Sequence, residues 1–282
     1  MLDSVGCIFA HNESKTIVES IKSLVSQGVS DIYVMINGCS DNTYEIVKKY
    51  SKENPSVKAI QISLGDKSNA WNVFVHDINI ASKHYYFLDG DCFAVPGAVK
   101  ELRSLCQQKE CNAVAATPYE STKNRQITTK VMLSNGGLAG NLYLLSHDFV
   151  ERVRGKSVRL PVGCIGEDGL VGALAYWNLK PFSDWDKNNV AVAEHAKFDY
   201  KPLSKFDIDD LKLYYRRKIR YSCRYFQNKI ITEAFRDKGL EGISKNFSDL
   251  YLKYDNLLKL KYRGLDTYFD WLALRRIKAG MM

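Results

Sequence analysis

Two acidic residues separated by one glycine, Asp89-Gly90-Asp91, follow the apolar run His84-Tyr85-Tyr86-Phe87-Leu88. At the end of a buried strand, two carboxylates with no side chain between them can approach one cation without crowding. Hard oxygen ligands of this kind suit Mg²⁺ or Mn²⁺, and a cation held there would also hold a diphosphate. Acidic turns with this spacing are common, so the position behind the strand carries the argument. A second pair, Glu167-Asp168, opens the apolar helical run from Leu170 to Trp177. The helix dipole favours negative side chains at such a start, and that alone explains the pair structurally. The chemical reading makes Asp168 a general base that takes the proton of an attacking hydroxyl. Sequence neighbours at a helix start point in different directions, so only one of the two acids can face an acceptor.

Those residues must be held by a framework, and the first ninety residues supply its pattern. Apolar runs at Val5–Phe9, Ile32–Ile36, Val57–Ile62 and Tyr85–Leu88 read as strands. Between them, Lys15–Gln27 puts Ile17, Ile21 and Leu24 on one helical face, with Gly28 as its stop, and helices are expected near Thr43–Tyr50 and over Ser68–Ala81. Strands alternating with helices imply an α/β fold, a mostly parallel sheet with helices on both faces. Ligands of such sheets bind at the carboxyl ends of the strands. Those ends carry Ala10-His11-Asn12-Glu13, Asn37-Gly38-Cys39-Ser40-Asp41-Asn42-Thr43, Gly65-Asp66-Lys67-Ser68-Asn69 and Asp89-Gly90-Asp91. Asn12, Ser40 or Asp41 could each be a simple helix cap. Four polar strand ends meeting on one rim are harder to explain that way.

The charge is uneven. Residues 201–282 hold 19 Lys and Arg against 10 Asp and Glu, a net of +9, while the rest of the chain is near neutral. A basic helical extension over 204–282 is therefore expected behind a catalytic domain over 1–203. In it, residues 207–231 read as one helix, with Tyr215, Ile219, Ser222 and Phe226 on one face and Arg217, Arg220 and Arg224 opposite. The arginine stripe, either solvated or facing an anionic acceptor, is grouped with Glu167 as an acceptor-side or anionic surface. Leu250–Leu260 and Leu265–Lys278, rich in leucine, tyrosine and basic residues, suit either an anchor at an anionic membrane or a helical hairpin closing the acceptor site. Seven cysteines without a C-x-x-C pair argue against a disulfide framework or a zinc site. No run is long enough to span a bilayer and no secretory leader is read at the N-terminus. A cytoplasmic protein, peripheral on the inner face of the membrane, is the expectation.

The ordered set A-H-N-E, N-G-C-S-D-N-T, G-D-K-S-N-A-W-N, F-L-D-G-D and G-E-D-G-L over residues 4–177 resembles glycosyltransferase family 2, of the GT-A (Rossmann-like) fold. The resemblance implies transfer of one sugar from a nucleotide-diphosphate sugar to an acceptor hydroxyl, with inversion, with Mn²⁺ or Mg²⁺ as cofactor. It implies that Phe9, Ala10, His11 and Glu13 line the nucleotide pocket, that Asn37 reads the nucleobase, and that Lys67 lies near the nucleotide. Asp89, Gly90 and Asp91 fall on the metal and donor positions, and Asp168 on the base. His195, in the apolar run Val190–Ala196, is either a structural histidine or, as in several GT-A enzymes, a further metal ligand. The usual acid at the base-reading position is Asn37 here, so a uridine donor does not follow. The nearest stretch to the Q-x-x-R-W motif of processive members is Arg217-Lys218-Ile219-Arg220-Tyr221. A single-sugar transferase fits better than a membrane-embedded synthase, with a role in bacterial surface glycan or glycolipid synthesis and a glycan, lipid-linked or other hydroxyl acceptor.

Two other classes of protein compete with this reading. A nucleotidyltransferase would share the sheet but needs a glycine-rich loop after the first strand, which Ala10-His11-Asn12-Glu13 does not offer. The basic tail could bind RNA without catalysis, yet no RRM, KH or zinc-finger signature accompanies it, so nucleic acid is not the expected partner.

Overall fold

Runs of β-branched and aromatic residues bounded by polar turns become strands, and the amphipathic stretches between them cover the sheet. The computed structural model describes residues 1–202 and 207–280. Its first half runs β1 (Leu2–Ala10), α1 (Ile17–Val25), β2 (Asp31–Asn37), α2 (Thr43–Glu53), β3 (Val57–Ile62), α3 (Lys67–Asn72) and β4 (Ser82–Asp89). The helix expected over Ser68–Ala81 is shorter and irregular. After α3 the backbone widens into a π-helical turn, Val73–Ile78, and stops at Asn79 in the left-handed region. Two β-branched valines in that turn and an asparagine that tolerates positive φ account for both features.

The order continues with β5 (Cys92–Ala94), α4 (Ala98–Lys109), β6 (Ala113–Pro118), α5 (Lys123–Asn135), β7 (Leu142–Ser146), α6 (His147–Gly155), α7 (Glu167–Tyr176) and β8 (Val190–Tyr200). The eight strands form one sheet in the order β3-β2-β1-β4-β7-β6-β8-β5. The β3-β2-β1-β4 half is parallel, as expected, and β6 pairs parallel with β8. The joins β4–β7, β7–β6 and β8–β5 are antiparallel, so the sheet as a whole is mixed.

Both faces of the parallel half are buried. One packs Ile8, Val34 and Leu88 against Ile17, Ile21 and Leu24 of α1, the stripe read from the sequence. The other is aromatic: Phe87 stacks on Tyr143 at 4.7 Å between ring centres and meets Phe74 edge-on at 5.6 Å. Phe9 and Trp71 flank the same ring. The core thus forms a rigid floor directly beneath the carboxyl ends of β1 and β4.

The chain divides into two compact units. One comprises residues 1–158, 167–179 and 183–201, and the other residues 159–166, 180–182 and 202–282. The boundary expected at 203/204 lies outside the described residues. The second unit is built on α8 (Ile208–Lys238), α9 (Phe247–Lys253) and α10 (Asp266–Lys278). Ile219, Ser222 and Phe226 are buried on α8, as the periodicity requires. Tyr215 departs from that stripe: it is 41% exposed, with its ring against Phe269 and its hydroxyl 3.1 Å from that of Tyr268. The segment 159–166 belongs to this unit because Gln227, fully buried on α8, accepts from the Ile165 N–H at 2.6 Å and donates to the Gly163 carbonyl at 2.8 Å. Arg263 donates to both carboxylate oxygens of the buried Asp270 at 3.1 Å. Among the described residues, no helix is long and apolar enough to cross a membrane.

Candidate active site

The loops after β1 and β2 are knitted together by side-chain hydrogen bonds. Asn12, at φ 61°, accepts from the Ser40 N–H at 2.8 Å, so its side chain anchors the neighbouring loop. Thr43 Oγ1 accepts from the Glu13 N–H at 2.9 Å, and the Asn37 carbonyl lies 2.7 Å from Nδ1 of the exposed His11. The Asn37 side chain is buried, and its Oδ1 has no hydrogen-bond partner among the described residues. An unpaired amide oxygen at a strand end is costly unless something donates to it. Gly38 (φ 58°) packs so closely on Gly65 that a Cβ would overlap the Gly65 backbone. Cys39 Sγ accepts from the Asn12 N–H at 3.2 Å. All seven cysteines are among the described residues and all are thiols; six are buried, and only Cys39 is half-exposed.

The acidic turn at the end of β4 is tightly prepared. The Gly90 carbonyl accepts from the hydroxyls of Thr16 and Ser20, each at 2.9 Å, and a Cβ at Gly90 would lie 2.8 Å from the Phe9 carbonyl oxygen. Only glycine fits there. Thr16 and Ser20 lie four residues apart at the start of α1, and that spacing toward one face is their only mark in the sequence. Asp89, Asp91 and Cys92 bring ligand atoms within 4.8 Å of one another. Burial pushes the Cys92 thiol far up, and its Sγ donates to Asp91 Oδ1 at 3.3 Å. Cys92 therefore stays protonated and supports Asp91. The remaining donor set, two carboxylates, has the hard-oxygen chemistry that fits Mn²⁺ or Mg²⁺.

Lys67, at the start of α3, ties this turn to α7. Its Nζ lies 2.5 Å from Asp89 Oδ1 and 2.7 Å from Glu167 Oε1, above the Phe9 ring at 5.2 Å. Burial works against its charge, yet Asp89, Glu167 and Asp168 hold its pKa well above the ordinary lysine value. Burial raises Asp89 to about 7, with Lys67 opposing and Asp91 adding. Glu13 also rises to about 7, from burial first and the charge of Asp91 second. Glu167 is 5% exposed and faces Lys67, so it is an internal partner of the site and not part of an open acidic surface. Asp168 is half-buried, and its Oδ2 accepts from the Gly140 N–H at 3.0 Å.

The other expected residues are more dispersed. His195 is exposed on β8 where the register with β6 shifts, and it does not join the Asp89-Asp91-Cys92 group. Ala10 is buried at the end of β1. In the second unit, Arg220 is exposed while Arg217 and Arg224 are half-buried, and the Arg224 guanidinium covers Gly166 so closely that a Cβ could not fit.

The model described as "Glycosyl transferase family 2" matches residues 7–163, more than half of the chain. The chain belongs to that family. No curated protein matches it. The transferase is similar in fold to the mannosyltransferase PcManGT of Pyrobaculum calidifontis in complex with GDP-Man and Mn²⁺, with a TM-score of 0.62 and 13% identity, covering 99% of this chain and 75% of that one. It is similar also to TarS of S. aureus, residues 1–349, with a TM-score of 0.57 and 14% identity over 98% of this chain and 81% of that one. A third likeness is to GalNAc-T7 with UDP, GalNAc and Mn²⁺, with a TM-score of 0.52 and 11% identity over 91% of this chain and 55% of that one. The mixed α/β fold with its long C-terminal helix is thus that of GT-A glycosyltransferases, and the transferase is an enzyme of this class.

Proposed function

We propose that the enzyme moves one sugar from a nucleotide-diphosphate sugar to an acceptor hydroxyl, inverting the anomeric carbon, with Mn²⁺ or Mg²⁺ held by Asp89 and Asp91. The observation that carries this reading is Lys67, whose ammonium joins the Asp89 turn to the acid pair of α7. The turn proposed to hold metal and the acid pair that contains the proposed base thus share the charge of one lysine. The bound cation would neutralise the diphosphate leaving group.

The chain's own residues would do the rest. Phe9, Ala10, His11, Glu13, Lys67, Asp89 and Gly90 line the donor side, and the unpaired Asn37 Oδ1 is suited to accept from a nucleobase N–H. A carbonyl oxygen in place of a carboxylate leaves the choice of base open, and similar folds are found in complex with both GDP-Man and UDP-GlcNAc. Asp168, fixed by the Gly140 amide, would take the acceptor proton as the oxygen attacks. His195, outside the Asp89-Asp91-Cys92 group, is the lesser candidate for a further metal ligand. The acceptor is read as a glycan or lipid-linked hydroxyl, with exposed Arg220, beside Arg217 and Arg224, serving an anionic acceptor or the inner membrane surface in bacterial surface glycan or glycolipid synthesis.

Asp91→Ala tests the central claim. Nucleotide-sugar hydrolysis and Mn²⁺-dependent stabilisation by UDP or GDP should both disappear while circular dichroism stays unchanged. Full turnover by that variant, or by the wild type in excess EDTA, would remove the metal from the mechanism.

A further inference from the structure

Three residues on one face of α7, Asp168, Gly172 and Tyr176, are spaced i, i+4, i+8 and meet one loop. That loop, Gly136 to Gly140, links α5 to β7. At its far end the Gly137 N–H donates to the Tyr176 hydroxyl at 2.8 Å, and at its near end the Gly140 N–H donates to Asp168 Oδ2 at 3.0 Å. In between, Leu138 lies on Gly172, where a Cβ would come within 3.1 Å of the Leu138 Cβ. Gly136 and Gly137 have φ of 74° and 123°, and a Cβ at Gly136 would overlap the Tyr176 hydroxyl. The loop therefore needs glycine for its backbone and for its approach to the helix.

The same segment reaches the metal turn. Asn141, next in sequence, accepts from the Asp89 N–H at 3.1 Å through its carbonyl, and its Nδ2 donates to Cys92 Sγ at 3.3 Å. One strip of chain thus touches the acidic turn at one end and α7 along its length. The Tyr176 ring is in turn held by stacking on Trp185 at 4.3 Å between centres.

We infer that Tyr176 is a positioning residue for the base: its hydroxyl pins the Gly136–Gly140 loop, and the pinned loop presents the Gly140 amide that fixes the Asp168 carboxylate. The inference rests on the reading of Asp168 as base, but it makes a claim about the loop that stands apart from it. Removing the hydroxyl leaves the Gly137 N–H without its acceptor and lets the loop drift from α7. Asp168 then loses its fixed direction, and misplacement of a catalytic group by about 1 Å can cost on the order of 100-fold in rate.

The test uses the full chain as wild type, Tyr176→Phe, Asp168→Asn and the double variant. Amide exchange resolved by NMR should quicken at both Gly137 and Gly140 in Tyr176→Phe. Quickening at Gly137 with Gly140 unchanged would show that the loop does not transmit, and would overturn the inference. In parallel, hydrolysis of GDP-Man and UDP-GlcNAc with Mn²⁺ gives kcat. Tyr176→Phe should lower it about 10-fold or more, with nucleotide Kd unchanged and no further loss in the Asp168→Asn background. An equal loss in both backgrounds would mean that Tyr176 only supports the fold, and would overturn the inference as well. Normal turnover by Asp168→Asn alone would strike the base reading while the exchange result still judges the loop.

Discussion

The Lys67 ammonium is shared by Asp89 and Glu167, and the charge of Asp168 adds to theirs. If Asp89 holds the proposed cation, its pKa of about 7 is where protons would compete with that cation. Below that pH a proton must leave before metal binds, so Mn²⁺-dependent affinity for UDP or GDP should fall up to about tenfold per pH unit from pH 7 to 5.5 and level off above 7.5. Titration calorimetry across that range checks the sign, and a flat profile would deny Asp89 a place among the ligands. Asp168 carries the other residue-scale prediction. Asp168→Asn keeps the shape and removes the basicity, so transfer should drop by about 10² to 10⁴ with little change in nucleotide affinity. A purely structural acid at the start of α7 would instead show a lower Tm with near-normal turnover.

At the scale of elements, the loops after β2 and β3 work as one body because Gly38 and Gly65 touch backbone to backbone. Gly38→Ala adds a Cβ at φ 58° against the Gly65 backbone, which should cost about 1–3 kcal/mol in urea unfolding and weaken nucleotide binding. Unchanged stability would mean that the loops part easily. The parallel half of the sheet was legible because its strands are separate apolar runs with amphipathic helices between them. The stretch from β5 to α6 was not, since β6 is buried at all six positions and β5 has three residues, leaving no alternation to read. In the site, the acidic turn and Lys67 could be found from residue type and place. The burial of Glu167 against Lys67 could not, because a pairing between α3 and α7 is set by tertiary packing alone. Apart from their spacing, nothing local announces Thr16 and Ser20, which act on a carbonyl 70 or more positions away.

At the scale of the whole molecule, the basic excess falls in the second unit and the acidic cluster in the first. The two units also differ in how their polar groups are satisfied. The first gathers charge at the strand ends, whereas the second spends buried polar groups such as Gln227 and Asp270 on its own helices and on the segment before α7. The distribution of sulfur has a practical consequence. With six thiols buried and Cys39 half-exposed beside Asn12, a thiol-reactive dye should label the native chain at one atom, at the rim where the donor is read to lie. Burial raises the Cys39 pKa, so labelling should be slow at neutral pH and faster in alkali. Ellman titration should count one accessible sulfur in the native protein and seven in guanidinium. More than one native thiol would contradict the burial of the others. Protection of that sulfur by UDP or GDP with Mn²⁺ would then give an optical readout of donor occupancy without an engineered cysteine.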